Sequence, residues 1–166
     1  MRLPYNKQHG FTLIDLMITV GIVGIVLGIA VPNLQRWSRP YHLKDAALEL
    51  YANMQRAKIG AIRENRPWTI QFNPDSLQGY QVRDGAGNTV YTVNFQTAYG
   101  GRVTYRNPTS STLFDSNVLT FNHSGLTPTT GFAFLSDQDN SGYYRVGLPF
   151  ITGAIQVRKW NGSTWE

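Results

Sequence analysis

From Leu16 to Gln35 the chain carries no charged residue. A helix of that length, rising about 1.5 Å per residue, covers a hydrocarbon core of roughly 30 Å. A core helix this apolar on every side would need a large protein around it, and this chain has 166 residues. A secretory signal peptide has a shorter apolar centre and a small-residue cleavage site behind it. Here the run continues into Ile29-Ala30-Val31-Pro32-Asn33 with no such site. The run therefore reads as a membrane helix. Arg2 and Lys7 precede it, which places the N-terminus in the cytoplasm and exports the bulk. Arg36 and Arg39, beyond the run, weigh against that orientation. One acid, Asp15, stands just inside its start. An ionised carboxylate in hydrocarbon costs several kcal/mol on insertion scales. Asp15 therefore needs a partner, or a place at headgroup level where a first-turn acid suits the helix dipole.

The surrounding stretch, HGFTLIDLMITVGIVGIVLGIAVP from His9 to Pro32, resembles the N-terminal signature of type IV pilins and type II secretion pseudopilins. The resemblance implies a basic leader cut after Gly10 by a prepilin peptidase, with Phe11 as the new, N-methylated terminus. It also implies that Asp15, fifth after the cut, pairs with the terminal amine of a neighbouring subunit and sets filament register. Asp15 stands where the family usually has Glu, and Pro32 where it often has a helix-bending proline. Cutting there removes ten residues, among them Arg2 and Lys7, so that 166 residues at +5 become 156 at +3. Gly24 and Gly28 form a small-xxx-small step, which lets helix backbones approach in lipid or in a filament core.

Past Pro32 the pattern turns amphipathic. Leu43, Ala47, Leu50, Met54, Ala57 and Ala61 recur at spacings of four and three, an apolar stripe on a helix. Pro40 is expected to bend or restart this helix, and Pro67 to end it near Glu64–Arg66. From there the period is two. Strands are expected at Trp68–Phe72, Tyr80–Arg83, Thr89–Phe95, Arg102–Arg106, Val118–Phe121, Phe132–Leu135, Tyr143–Leu148 and Ala154–Trp160. Turn-forming residues separate them, such as Asp84-Gly85-Ala86-Gly87-Asn88. Asn107–Ser116 reads as the least ordered stretch. The fold class is α+β: a long N-terminal helix, membrane-spanning in its first half and amphipathic in its second, packed on a small antiparallel β domain. The divisions are a leader at 1–10, a transmembrane half at 11–36, an amphipathic half at 37–66 and an exported β domain at 67–166.

The passage from Leu50 to Phe72 is similar to the helix-to-strand passage of the pseudopilin H family, which includes FimT-like minor pilins. LTFNHSGLTPTTGFAFL and YYRVGLPFITGAIQV also resemble it. The resemblance implies a minor subunit at or near the tip of a type II secretion pseudopilus or a type IV pilus. Its partners would be other pilin or pseudopilin subunits, an inner-membrane assembly platform and membrane lipid. Its location would be the inner membrane, single-pass, with a periplasmic C-terminal domain, before incorporation into a filament.

Three other chemistries compete with this reading. Some FimT-like relatives bind DNA through an arginine-bearing motif after a Gly such as Gly153. Here Ala154 follows that Gly, but Arg158, Lys159 and Trp160 could contact phosphates and stack on bases. The simpler reading is an edge strand whose charges discourage aggregation. Asp137-Gln138-Asp139-Asn140-Ser141-Gly142 opens like a calcium loop, but its twelfth position is Leu148 where a bidentate Glu is needed. An ordinary hairpin turn is the expectation. Neither His42, expected on the exposed part of the helix, nor His123, expected in a turn, joins the few acids in a spacing that suits a metal cluster or a nucleophile with its base. With no cysteine, thiolate sites and disulfides are excluded. The chain reads as a non-enzyme without cofactor or metal.

Overall fold

The computed structural model describes residues 12–108 and 117–166, apart from the side chains of residues 31–40 and Ser76. Gly10, Phe11 and most of the Asn107–Ser116 stretch lie outside the described residues. The chain divides into two units with the boundary between Ser38 and Arg39. One helix, α1, is assigned from Leu13 to Glu64. Its assignment runs through Pro32 and Pro40, so of the bend or restart expected at Pro40 the restart does not occur.

In the first unit, Leu13–Ala30 has a mean hydropathy of 2.5 and no part of it is buried. By length and composition it can cross a membrane.

In the second unit, α1 buries its stripe as the spacing predicts: Leu43, Ala47, Leu50, Met54, Ala57 and Ala61 all lie in the core. The helix ends in a Schellman motif. Asn65 takes a left-handed conformation with φ 52°. Its N–H donates to the Ile62 carbonyl at 3.3 Å, and that of Arg66 to Ala61 at 3.2 Å. His42 is half-buried rather than exposed, and His123 is exposed in a turn.

Among the described residues, eight strands follow in two antiparallel sheets. The first sheet takes β1 (Trp68–Phe72), β2 (Gly79–Arg83), β3 (Thr89–Asn94) and β5 (Val118–Phe121), in the order β3-β2-β1-β5. The second takes β4 (Val103–Tyr105), β6 (Gly131–Asp137), β7 (Tyr143–Leu148) and β8 (Gln156–Lys159), in the order β4-β6-β7-β8. Alternation puts Trp68, Ile70 and Phe72 of β1 inside, and likewise Val146 and Leu148 of β7. These join the α1 stripe in one core cluster.

Phe95 does not end a strand as expected. It opens a short helix, α2 (Phe95–Ala98), because Asn94 caps it: the Asn94 side chain accepts from the Gln96 N–H at 2.8 Å. The turn drives the Phe95 ring into the core. There it meets Tyr105 of the second sheet at 5.1 Å and Tyr80 of the first at 6.2 Å, centroid to centroid. The Tyr105 hydroxyl also donates to the Gly79 carbonyl at 3.0 Å, tying β4 to β2. One polar side chain interrupts the α1 stripe. Asn53 is buried, its amide donating to the Tyr80 hydroxyl at 2.8 Å while its carbonyl accepts from Arg56 at 3.1 Å. Burial pushes the Tyr80 hydroxyl far above its ordinary pKa, so it stays a neutral partner.

Candidate functional site

Two places gather the side chains singled out by the sequence. The first is the start of α1. Thr12 and Asp15 form a reciprocal cap. The Asp15 carboxylate accepts from the Thr12 N–H at 3.1 Å and from its hydroxyl at 2.6 Å, and the Thr12 hydroxyl oxygen accepts from the Asp15 N–H at 3.3 Å. Thr-x-x-Asp is a capping-box spacing. In the isolated chain, Asp15 therefore already has a structural occupation at the helix N-terminus. Around Gly21, Gly24 and Gly28, a Cβ would meet nothing within 4 Å. The small-residue face is open.

The second place is the outer face of the β6-β7-β8 sheet. Residues whose neighbours face the core point outward here: Phe132 and Phe134 from β6, Arg145 from β7, Arg158 from β8. Register sets Phe134 opposite Arg145 and Arg145 opposite Arg158. The C-terminal tail then folds back, with Trp160 bridging Trp165 and their rings 5.1 Å apart. Arg145 lies between rings, its guanidinium carbon 4.4 Å from the Phe132 centroid and 5.0 Å from that of Trp165. Its Nε is buried without a hydrogen-bond partner. Burial, and then the nearby Arg158, lower its pKa. Sequence reasoning missed Arg145; its signal is the alternation along β7, which turns it outward beside Arg158.

The expected DNA-contacting residues come together only in part. Arg158 donates to the Gln156 side chain at 3.2 Å and to the Trp165 carbonyl at 3.3 Å, so it secures the tail. Lys159 is exposed and pairs through its backbone with Glu166. Lys159 and Trp160 line an open cleft of about 520 Å³ together with Tyr143, Asn161 and Glu166.

Asp137 closes the β6–β7 hairpin. Its carboxylate accepts from the Ser141 N–H at 2.7 Å, the Ser141 hydroxyl at 2.5 Å and the Gly142 N–H at 3.4 Å. The carboxylate thereby holds the turn closed. Among the described residues, no three His, Asp or Glu side chains gather as metal ligands.

The family model for the type II transport protein GspH matches residues 46–148, more than half of the chain. The chain belongs to the GspH family. A second model, the prokaryotic N-terminal methylation motif, matches residues 5–31, over the start of α1. The family is one of structural subunits, not enzymes. The pilin-like protein PilA1 of Thermus thermophilus is 34% identical over 73 residues, 44% of this chain and 46% of that protein. A fimbrial protein of Pseudomonas aeruginosa is 37% identical over 73 residues, 44% of this chain and 47% of its own length. This GspH-family chain thus spans less than half the length of these curated relatives. The crystal structure of the Pseudomonas aeruginosa type IV minor pilin FimU superposes with a TM-score of 0.51 at 21% identity, covering 78% of this chain and 96% of FimU. It shares the fold. The GspH match stops at Leu148, so the β7–β8 loop, β8 and the tail lie beyond it.

Proposed function

We propose that this GspH-family chain is a leader-processed minor pilin or pseudopilin, a structural subunit at or near the tip of a type II secretion pseudopilus or type IV pilus. A prepilin peptidase removes residues 1–10 by cutting after Gly10, and Phe11 is N-methylated. The apolar half of α1, within residues 11–36, holds the chain in the inner membrane with the exported unit in the periplasm. An assembly platform then moves it into a filament, where Asp15 fixes register. The observation that carries this reading is Leu13–Ala30: a wholly exposed apolar helix inside the match to the methylation motif. Intact mass measurement of the chain from sheared filaments tests it. The expected mass lacks the first ten residues and carries one methyl group at the new terminus. A chain that stays full-length and never co-purifies with filaments would sink the proposal.

A second reading draws on the adjacent Arg145 and Arg158 beside Phe132, Trp160 and Trp165, a cation and ring combination that suits single-stranded DNA. It is tested by titrating the exported unit with short DNA at two salt concentrations. The structural reading expects no saturable binding at low salt. Micromolar binding that weakens steeply with salt, and falls when Arg158 and Lys159 become Ala, establishes DNA capture instead.

A further inference from the structure

Two tight turns enclose the cleft of about 520 Å³ at the end of the second sheet. One is the β6–β7 turn, with Asn140, Ser141 and Gly142; the other is the turn of the tail, with Asn161 and Gly162. Tyr143 of β7 and Lys159 and Trp160 at the end of β8 stand between them. Both walls are set by their own hydrogen bonds. The Asp137 carboxylate holds the first turn. In the second, the Asn161 side-chain carbonyl accepts from the N–H groups of Ser163 and Thr164 at 2.9 and 2.8 Å, and the Asn161 N–H donates to the Thr164 carbonyl at 3.1 Å. A cleft of this size with walls already formed suits a small ligand. Its tail wall lies beyond the GspH match, which stops at Leu148, so that match does not account for it.

The lining selects the occupant. Its two charged side chains, Lys159 and Glu166, have opposite signs. The cleft therefore has no net charge with which to hold the successive phosphates of a nucleic acid. An extended peptide would bond the backbone of the walls, yet the N–H groups of Ser141, Gly142 and Asn161 are already taken. A wholly apolar ligand would strand the polar groups of the walls. Those groups are ready to bond. Among the described residues, the Asn140 amide NH₂, the Tyr143 hydroxyl, the Lys159 ammonium and the Trp160 indole N–H have no hydrogen-bond partner. The Tyr143 hydroxyl can accept as well as donate. One oxygen of the Glu166 carboxylate accepts from the Asn161 amide, which leaves the other. Trp160 and Tyr143 also bring half-buried rings to the wall. A ligand with hydroxyls round its rim and C–H groups on its faces meets all of these at once. Its hydroxyls donate and accept, and its C–H face packs on an aromatic ring. We infer that this cleft binds a neutral saccharide, with Trp160 as the platform and Tyr143, Lys159, Asn140 and Glu166 bonding its hydroxyls. Such binding is independent of where the chain stands in a filament.

Calorimetric titration of the full chain tests this, in a zwitterionic detergent so that no sugar headgroup competes. The probes are maltotriose, cellotriose and triacetylchitotriose, with hexathymidylate as the charged comparison. At least one trisaccharide is expected to bind saturably at or below about 1 mM. Trp160→Ala is expected to weaken that binding by more than about tenfold. The same change loosens the tail, because Trp160 bridges Trp165. Tyr143→Phe and Lys159→Met leave the backbone pairing in place and remove one bonding group each. Each is expected to weaken binding about threefold to tenfold. Lys44→Gln, at an exposed position of α1 outside the cleft, is expected to change nothing. Failure of all three trisaccharides to bind saturably overturns the inference. So does binding that Tyr143→Phe and Lys159→Met leave unchanged, because the sugar is then held elsewhere. Hexathymidylate binding more tightly than every trisaccharide overturns it in favour of the DNA reading.

Discussion

Phe95→Ala is expected to cost the exported unit about 3–5 kcal/mol, the largest stability loss of any single truncation in its core. Phe95 has no exposed surface. Its ring touches Tyr80, Tyr99 and Tyr105, with centroids at 6.2, 6.2 and 5.1 Å. Tyr80 belongs to the first sheet and Tyr105 to the second, so the ring fills the junction between them. The surrounding side chains are large and rigid, which limits how far they can collapse into the space it leaves. Domains of this size have about 5–15 kcal/mol in total, so the variant stands near the limit of folding at 37 °C. Denaturant unfolding of residues 39–166 measures the effect. Phe95→Leu, which keeps most of the volume, is expected to lose less than about half as much. A loss below about 1 kcal/mol for Phe95→Ala would show that the junction repacks without the ring.

That junction also marks where the sequence stops being readable. The α1 stripe was legible because its period is local: each apolar residue lies three or four positions from the next. Strands were legible for the same reason, and Trp68–Phe72, Val118–Phe121 and Tyr143–Leu148 lie at the expected positions. Alternation names a strand but not its partner. The division into two sheets, with β4 pairing β6 while β5 joins β1, depends on contacts remote in sequence. Phe95 was read as the end of a strand because a four-residue helix is too short to show a period. Asn94 before it and Gly100-Gly101 after it were the available signs. Asn53 lies on the buried stripe, and its partners Arg56, one turn on, and Tyr80, 27 residues away, make that position tolerable. Of the bend or restart that Pro40 suggests on local propensity alone, the restart does not occur, since α1 continues through it. Tertiary context routinely overrides such preferences. At the candidate sites, the acid at Asp15 was conspicuous because it broke an apolar run, while the Thr12 that caps with it was not. Arg145 was invisible as one more arginine until register placed it beside Arg158.

Asp15→Ala is expected to leave leader cleavage intact and to deplete the chain from filaments. Asp15→Asn is expected to do the same, and that variant decides between two physical accounts of the carboxylate. In the isolated chain Asp15 closes a capping box with Thr12. Such a cap is worth about 0.5–2 kcal/mol, which by itself could explain an acid at this position. Asparagine keeps an acceptor for the Thr12 N–H and removes only the charge. If capping is the whole role, Asp15→Asn enters filaments normally. If the carboxylate meets a neighbour's terminal amine among packed apolar helices, the neutral side chain leaves that cation unpaired. An unpaired charge there costs several kcal/mol, enough to reduce incorporation by more than about tenfold. Asp15→Glu restores the charge on a side chain one methylene longer and is expected to retain incorporation. The ratio of mature chain in sheared filaments to that in membranes, with the N-terminal mass verified in each pool, gives the answer. Normal incorporation of Asp15→Asn would reduce Asp15 to a helix cap, and the register role would then have to lie elsewhere on α1.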